Sequence, residues 1–235
     1  MKIKLAFFSL IACAISVQAQ GTFTNLNFES ASLTPVPAGQ YGGTVSASQA
    51  FPGWTVTDGY EPLQVYQNNA SLGTAVADIF GPDWQAQQGF EVISGNYTAA
   101  LQAGEVSRGI VSAILEQNGQ IPANAKSITF EATGETTGGF LTVGFNGQNL
   151  PYIHIGSGQN GSEVYGADVS QYAGQSGTLA FSENPVGQNN FPSAELDDIV
   201  FSTNSIPEPS TWALVLLGAG IFGATRCVRF GIKGA

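Results

Sequence analysis

The sequence predicts an all-β domain built from two packed antiparallel sheets, and three observations carry the prediction. Between residues 20 and 205 the apolar side chains fall in short alternating runs separated by Gly, Asn, Asp, Ser and Pro, the pattern of half-buried strands joined by turns. No segment before the last thirty residues sustains a helical period. Cys13 and Cys227 both lie in the terminal segments, so the stretch between them, about 185 residues long, must fold on its hydrophobic core without disulfides or thiolate metal sites. One sheet with so many strands would leave a large apolar face in water, which is why two are expected.

In chain order, residues 1–19 open with Lys2 and Lys4, continue as an apolar run to Val17 and end on the small-residue pattern Val17-Gln18-Ala19. This reads as a secretory signal peptide cleaved after Ala19. A lipoprotein signal is the alternative, because Leu10-Ile11-Ala12-Cys13 resembles a lipobox, although Cys13 arrives after only eight apolar residues. Strands are expected at 22–28, 54–57, 63–66, 75–80, 97–101, 110–115, 127–132, 140–145, 152–155, 178–181 and 196–201. The intervening stretch 30–52, with Pro35, Pro37, Gly39, Gly42 and Gly43, reads as a long surface loop. There is no internal repeat and no second domain.

Charge narrows the function. Five of the seven basic residues (Lys2, Lys4, Arg226, Arg229, Lys233) belong to the terminal segments, leaving Arg108 and Lys126 against sixteen acids between residues 21 and 205, a net charge of minus fourteen. Nucleic acid and anionic lipid headgroups need clustered Lys and Arg and are excluded as partners of this domain. Divalent cations suit it.

The tail adds an address. Between Glu208 and Arg226 lie seventeen uncharged residues, 209–225, which as a transmembrane helix rising ~1.5 Å per residue would cover ~26 Å, near the hydrocarbon thickness of a bilayer. Arg226, Arg229 and Lys233 would stay on the cytoplasmic side, with the large domain across the membrane. Pro207-Glu208-Pro209, then Ser210-Thr211-Trp212, the apolar span and the basic cluster resemble the PEP-CTERM sorting signal of exported bacterial proteins. The resemblance covers residues 206–235. It implies a removable handle, cut near the Pro-Glu-Pro by the membrane protease exosortase after signal peptidase has removed the leader, so that the mature protein runs from near Gln20 to near Pro207. An ordinary single-pass anchor would need the apolar span and basic flank but not the Pro-Glu-Pro.

A second resemblance spans the domain at 20–205. Asn25-Leu26-Asn27-Phe28-Glu29, Phe51-Pro52-Gly53-Trp54, Gly95-Asn96-Tyr97, Ile121-Pro122-Ala123, Phe145-Asn146-Gly147-Gln148, the 168–175 stretch and Leu196-Asp197-Asp198-Ile199 are similar, in kind and order, to galactose-binding-like jelly rolls. Carbohydrate-binding modules share that architecture, so the resemblance implies a jelly-roll antiparallel β-sandwich. It also implies a structural calcium tying the first strand to the last, with Glu29 and Asp197 as ligands by position. Calcium takes six to eight hard oxygens, and backbone carbonyls can complete a shell begun by two carboxylates. Strand alternation puts Asp197 on one face with Ile199 and Phe201, and Asp198 on the other.

Catalytic residues are scarce. The single histidine, His154, sits in the strand pattern Tyr152-Ile153-His154-Ile155 and reads as a sheet-surface residue; without a second histidine or a cysteine, zinc and Cys-His or Ser-His chemistry lack material. Gly156-Ser157-Gly158-Gln159-Asn160-Gly161 fits the dinucleotide pattern but has no βαβ context, and reads as a polar loop. Trp54, Tyr60, Tyr66 and Trp84 are candidate sugar-stacking faces; Trp54, after Pro52-Gly53, is expected in the core. Three readings stand: a non-catalytic surface or matrix protein associated with exopolysaccharide or biofilm, a carbohydrate-binding module acting alone, and a secreted glycoside hydrolase using two of the carboxyl groups.

Overall fold

Period-two alternation dominates the chain, and the computed structural model resolves it into strands. The structure describes residues 21–206 apart from 38–39, 70–72, 83, 85–90, 135, 137–139 and 188–190. The expected signal peptide at 1–19, the transmembrane helix at 209–225 and the motif Pro207, Glu208 and Pro209 lie outside the described residues. Among the described residues no helix is long and apolar enough to cross a membrane.

The chain forms β1 (Thr44–Val45), the one-turn helix α1 (Ala47–Ala50), β2 (Thr55–Thr57), β3 (Gln64–Gln67), β4 (Val76–Phe80) and β5 (Thr98–Gln102). A small hairpin follows, β6 (Gly104–Val106) with β7 (Gly109–Val111), then β8 (Ala113–Gln120), β9 (Ser127–Gly134) and β10 (Leu141–Phe145). The last strands are β11 (Gln148–Asn149), β12 (Tyr152–Ser157), β13 (Glu163–Asp168), β14 (Ser176–Glu183) and β15 (Ser193–Ser202).

They build an eight-stranded sheet in the order β1-β3-β4-β5-β15-β9-β13-β12 and a five-stranded sheet in the order β11-β10-β14-β8-β2. The inner faces meet through aromatic rings. Phe130 of β9 sits edge-on to Phe181 of β14 at 5.3 Å between centroids, and Trp54 reaches Phe181 at 6.4 Å and Phe28 at 5.9 Å. All four rings are buried, so Trp54 is core as expected, with its indole N–H donating to the Asn25 carbonyl at 3.0 Å.

Four local expectations are corrected. Residues 22–28 form no strand; Asn25 and Phe28 adopt φ of 51° and 57°, and the segment is held across the five-stranded sheet by Gln117, which accepts from the Thr24 N–H and donates to the Thr24 carbonyl. Apolar alternation there reports burial of Phe23, Leu26 and Phe28 and not a ladder. The 30–52 stretch is not all loop, since it contains β1 and α1. One pair, β3 with β4, is parallel, because alternation encodes which face a residue takes and not which way its strand runs. Finally, β15 carries a bulge: Asp197 pairs with Glu131 and Val200 with Thr129, so two residues of β15 oppose one of β9, with Asp198 at φ 44°. Ala194, Leu196, Ile199 and Phe201 therefore all face the core, and Asp197 lies on the opposite face, with Glu195.

Candidate functional site

The outer face of the larger sheet departs from the usual polar surface. Both β4 and β5 are buried along their whole length, although their inner faces need only Ala77, Ile79, Ala99 and Leu101. Segment 91–97 lies over this outer face and is tied to it by side chains: the Ile93 N–H donates to Thr98 Oγ1 at 2.9 Å and the Glu91 N–H to Glu195 Oε1 at 2.6 Å. Of the Gly156–Gly161 stretch expected as a polar loop, Gly156 and Ser157 are the end of β12, and the turn that follows them holds the same segment from the side. Asn160 Nδ2 donates to the carbonyls of Val92 and Ile93, and Gln159 Nε2 contacts Ser94 Oγ.

Both residues expected at a metal bind this segment. Glu29 Oε1 accepts the N–H groups of Asn96 and Tyr97 at 2.7 and 2.9 Å, and its Oε2 accepts Asn96 Nδ2 at 2.9 Å. Asp197 Oδ2 accepts the Thr98 hydroxyl at 2.6 Å and Oδ1 the Asp198 N–H at 2.8 Å. Gly95, at φ 59°, makes the approach possible, because a Cβ there would lie 2.4 Å from Glu29 Oε1. The Ile199 N–H donates to the Leu26 carbonyl at 3.0 Å, so three segments distant in sequence, 25–29, 94–98 and 197–199, converge. Phe28, a bulky residue at positive φ, is held in that strained conformation by its packing on Phe51 and Trp54.

Electrostatically the face is a row of buried acids. Asp197 is 0% exposed, and desolvation, only partly opposed by the Thr98 and Asp198 hydrogen bonds, pushes its pKa up to about 7. Glu195, 1% exposed, is pushed to about 8, again mainly by burial. Asp78, on the same face of β4, is raised well above the carboxylate range by burial against the opposing pull of backbone donors. Among the described residues Asp78 Oδ1 and Glu195 Oε2 have no hydrogen-bond partner. Among the described residues no cation pairs with these acids: Arg108 pairs with Asp58 and His154 with Glu163.

The carboxylates of Glu29 and Asp197 bind one segment, and all four of their oxygens already accept hydrogen bonds, so a calcium ion there would have to displace or share N–H and O–H donors. Among the described residues no three Asp, Glu, His or Cys side chains gather, so backbone carbonyls would have to supply the rest of the shell. Sequence reasoning missed Glu195 and Asp78. Their signal was a charged residue inside otherwise apolar strands, Val76-Ala77-Asp78-Ile79-Phe80 and Ala194-Glu195-Leu196.

Beside this site opens a cleft of about 390 Å³ lined by Pro82, Trp84, Glu91, Val92, Gly95 and Asn160. The Trp84 indole stacks on Phe80 with centroids 4.6 Å apart and planes at 13°. Of the other aromatic candidates, Tyr60 is 89% exposed and Tyr66 donates to Gln64 Oε1 on β3; neither lines the cleft. His154 lies exposed on edge strand β12, and the buried Asp78 and Glu195 are sealed from a sugar ring.

Residues 205–229 match the model of the PEP-CTERM protein-sorting motif. The chain carries the sorting signal of an exported surface protein. The match begins one residue before the expected 206 and takes in Pro207, Glu208, Pro209, Arg226 and Arg229, and a PEP-CTERM motif implies processing by exosortase. No characterised protein matches the chain in sequence. Among solved structures it is similar to TmCBM61 in complex with beta-1,4-galactotriose (13% identity, TM-score 0.36, 78% of this chain and 98% of that one). It is also similar to the K2 cleaved adhesin domain of Lys-gingipain (14% identity, TM-score 0.32, 80% and 98%). Likeness at these scores carries no argument about function.

Proposed function

We propose that this is a non-catalytic protein of the bacterial cell surface or extracellular matrix, delivered by the PEP-CTERM pathway, whose sandwich binds extracellular polysaccharide of the exopolysaccharide or biofilm type. The observation that carries the reading is the sorting motif at 205–229. Signal peptidase would remove residues 1–19, and the apolar tail would hold the protein in the inner membrane until exosortase acts near Pro207, Glu208 and Pro209.

The cleft beside Trp84 supports glycan binding by its chemistry. An indole face offers apolar contact to the C–H face of a sugar, and Glu91 and Asn160 stand at the same rim as hydrogen-bonding groups for hydroxyls. Calcium held by Glu29 and Asp197 is the structural part of the proposal. Bound there it would supply the positive charge that the buried acids lack. The residues themselves fix segment 94–98 and, through Gly95, one wall of the cleft.

Intact mass of the exported protein tests the sorting reading, with a chain from near Gln20 to near Pro207 expected and retention of the span to Ala235 counting against it. Binding to isolated exopolysaccharide, with turnover followed in the same assay, tests the rest. Wild type should bind without releasing sugar and Trp84→Ala should bind at least tenfold more weakly, as expected for loss of a stacking face. Calcium should raise the melting temperature and magnesium, which demands a small octahedral shell, should not; Asp197→Asn and Glu29→Gln should erase the difference. Equal effects of both ions, unchanged in the variants, would reduce the site to charge screening.

A further inference from the structure

The end of the domain is pinned where the sorting motif begins, and Ile206, the last pinned residue, is the second residue of the matched stretch. The chain is fastened at the last residue of β15 and again just beyond it: the Ser202 carbonyl accepts the Lys126 N–H at 2.8 Å, and the Asn204 carbonyl accepts the Ser127 hydroxyl at 2.8 Å. A third fastening is apolar. Gly166 of β13 faces outward between Ile153 and Thr129 of the neighbouring strands, and Ile206 and Ile155 close over its bare Cα. A Cβ at Gly166 would lie 3.2 Å from Cδ1 of each isoleucine and 3.4 Å from Cγ1 of Ile206. Gly166 is not at positive φ, so its backbone does not require glycine; the bare position instead makes a notch that Ile206 fills. The next residue is Pro207, with no spacer.

A peptide-cleaving enzyme takes its substrate as an extended strand on both sides of the bond it breaks. Three extended residues, 207–209, span at most ~11 Å between the pinned Ile206 and the apolar stretch that follows. While Ile206 occupies the notch, no free chain is available on the N-terminal side of the motif. We infer that the 203–206 strap and the Gly166 notch gate the sorting reaction, so that processing requires Ile206 to leave the notch. This rests on the sorting reading proposed above. The notch is a positioning element and touches no reacting atom.

If the pinned form dominates, the processing rate follows the small unpinned population, and anything that weakens the pin raises the rate in proportion. Gly166→Ala is the decisive variant, because it lies outside the matched motif and meets only the flexible ends of two side chains. It should speed processing by a few-fold, up to roughly fivefold, the factor expected from crowding a tight contact that the isoleucines can relieve only by shifting a few tenths of an ångström. Inserting Gly-Ser-Gly-Ser between Ile206 and Pro207 should give the same acceleration without touching the notch, and the two changes together should give no more than either alone. The assay is pulse-chase of the full chain in cells that express an exosortase, with the melting temperature of the exported product as a fold control and hydrogen exchange of the Lys126 N–H, which the Ser202 carbonyl holds, as a reading of the pin. Faster exchange in Gly166→Ala with unchanged processing, or unchanged processing in the spacer variant, overturns the gate and leaves the sorting reading standing. Failure of wild type and every variant to be processed overturns both.

Discussion

Raising the pH should destabilise the calcium-free protein, and the size of the effect follows from the buried acids on the outer face. The folded pKa of Asp197 is about 7 against an ordinary 3.8, and that of Glu195 is about 8 against 4.5. The folded state therefore holds protons that the unfolded chain releases, and stability falls as pH rises from near 4 through the folded values, with the loss complete above about 8. Between pH 5 and the folded value of Asp197 lie about two units at 1.36 kcal/mol each, so this residue alone should cost about 2.7 kcal/mol. Glu195, raised mainly by burial as well, adds a loss in the same direction as pH passes through its folded value of about 8. Asp78, raised in the same direction on the same face, reinforces the trend, and no base faces any of the three among the described residues. At about 2–4 °C per kcal/mol for a domain of this size, the melting temperature in EDTA should drop by at least about 5 °C between pH 5 and 8.5. Calcium at the proposed site would bind the deprotonated carboxylates, so its stabilising effect should grow over the same interval and flatten the curve. Asp197→Asn in EDTA should flatten it too. A melting temperature in EDTA that is constant or rises from pH 5 to 8.5 would refute the claim that these acids are protonated in the native state.

Two substitutions test the architecture. Gly95→Ala places a methyl group against the Glu29 carboxylate at a position with φ 59°, and should abolish the difference between calcium and magnesium while lowering the melting temperature; an unchanged calcium response would detach Glu29 from the site. Phe181→Ala removes a ring that is 0% exposed and joins the two sheets through Phe130 and Trp54; urea unfolding should report a loss of about 3–5 kcal/mol, and a loss under about 1 kcal/mol would contradict the description of the core.

The strands were legible where alternation and ladder coincide, as at Val143 and Phe145 of β10 or Leu179 and Phe181 of β14. They were illegible where burial has another cause. Phe23, Leu26 and Phe28 alternate but line an irregular segment, and β13 was missed because Gly166 and Ala167 interrupt its apolar pattern, Gly166 being small to admit a residue forty positions later. Glu29 and Asp197 were readable through a resemblance, and the structure joins both to the 94–98 segment. Which face Asp197 takes was not readable, since one extra residue at Asp198 inverts the register and nothing local distinguishes a bulged Asp-Asp from a regular one. Glu195 needed the overlying 91–97 segment to explain its burial, and a contact across a hundred residues leaves no trace in a window of ten; Asp78 needed the 68–69 turn that donates to its carboxylate.

Among the described residues the longest strand, β15, is also the last, and it lies in the interior of the larger sheet between β5 and β9. A chain crossing a membrane from its N-terminus delivers β1 to β14 first, and these can form only two separate halves of that sheet, β1-β3-β4-β5 and β9-β13-β12, with open edges facing each other. Closure waits for residues 193–202, which also bring Phe201 onto Phe23 and the Ile199 N–H to the Leu26 carbonyl, joining the end of the domain to its beginning. Only a few residues separate that closing strand from the apolar tail. Folding is thus completed when translocation is almost over, and a chain cut short before residue 193 would leave two unsealed β-edges open to association.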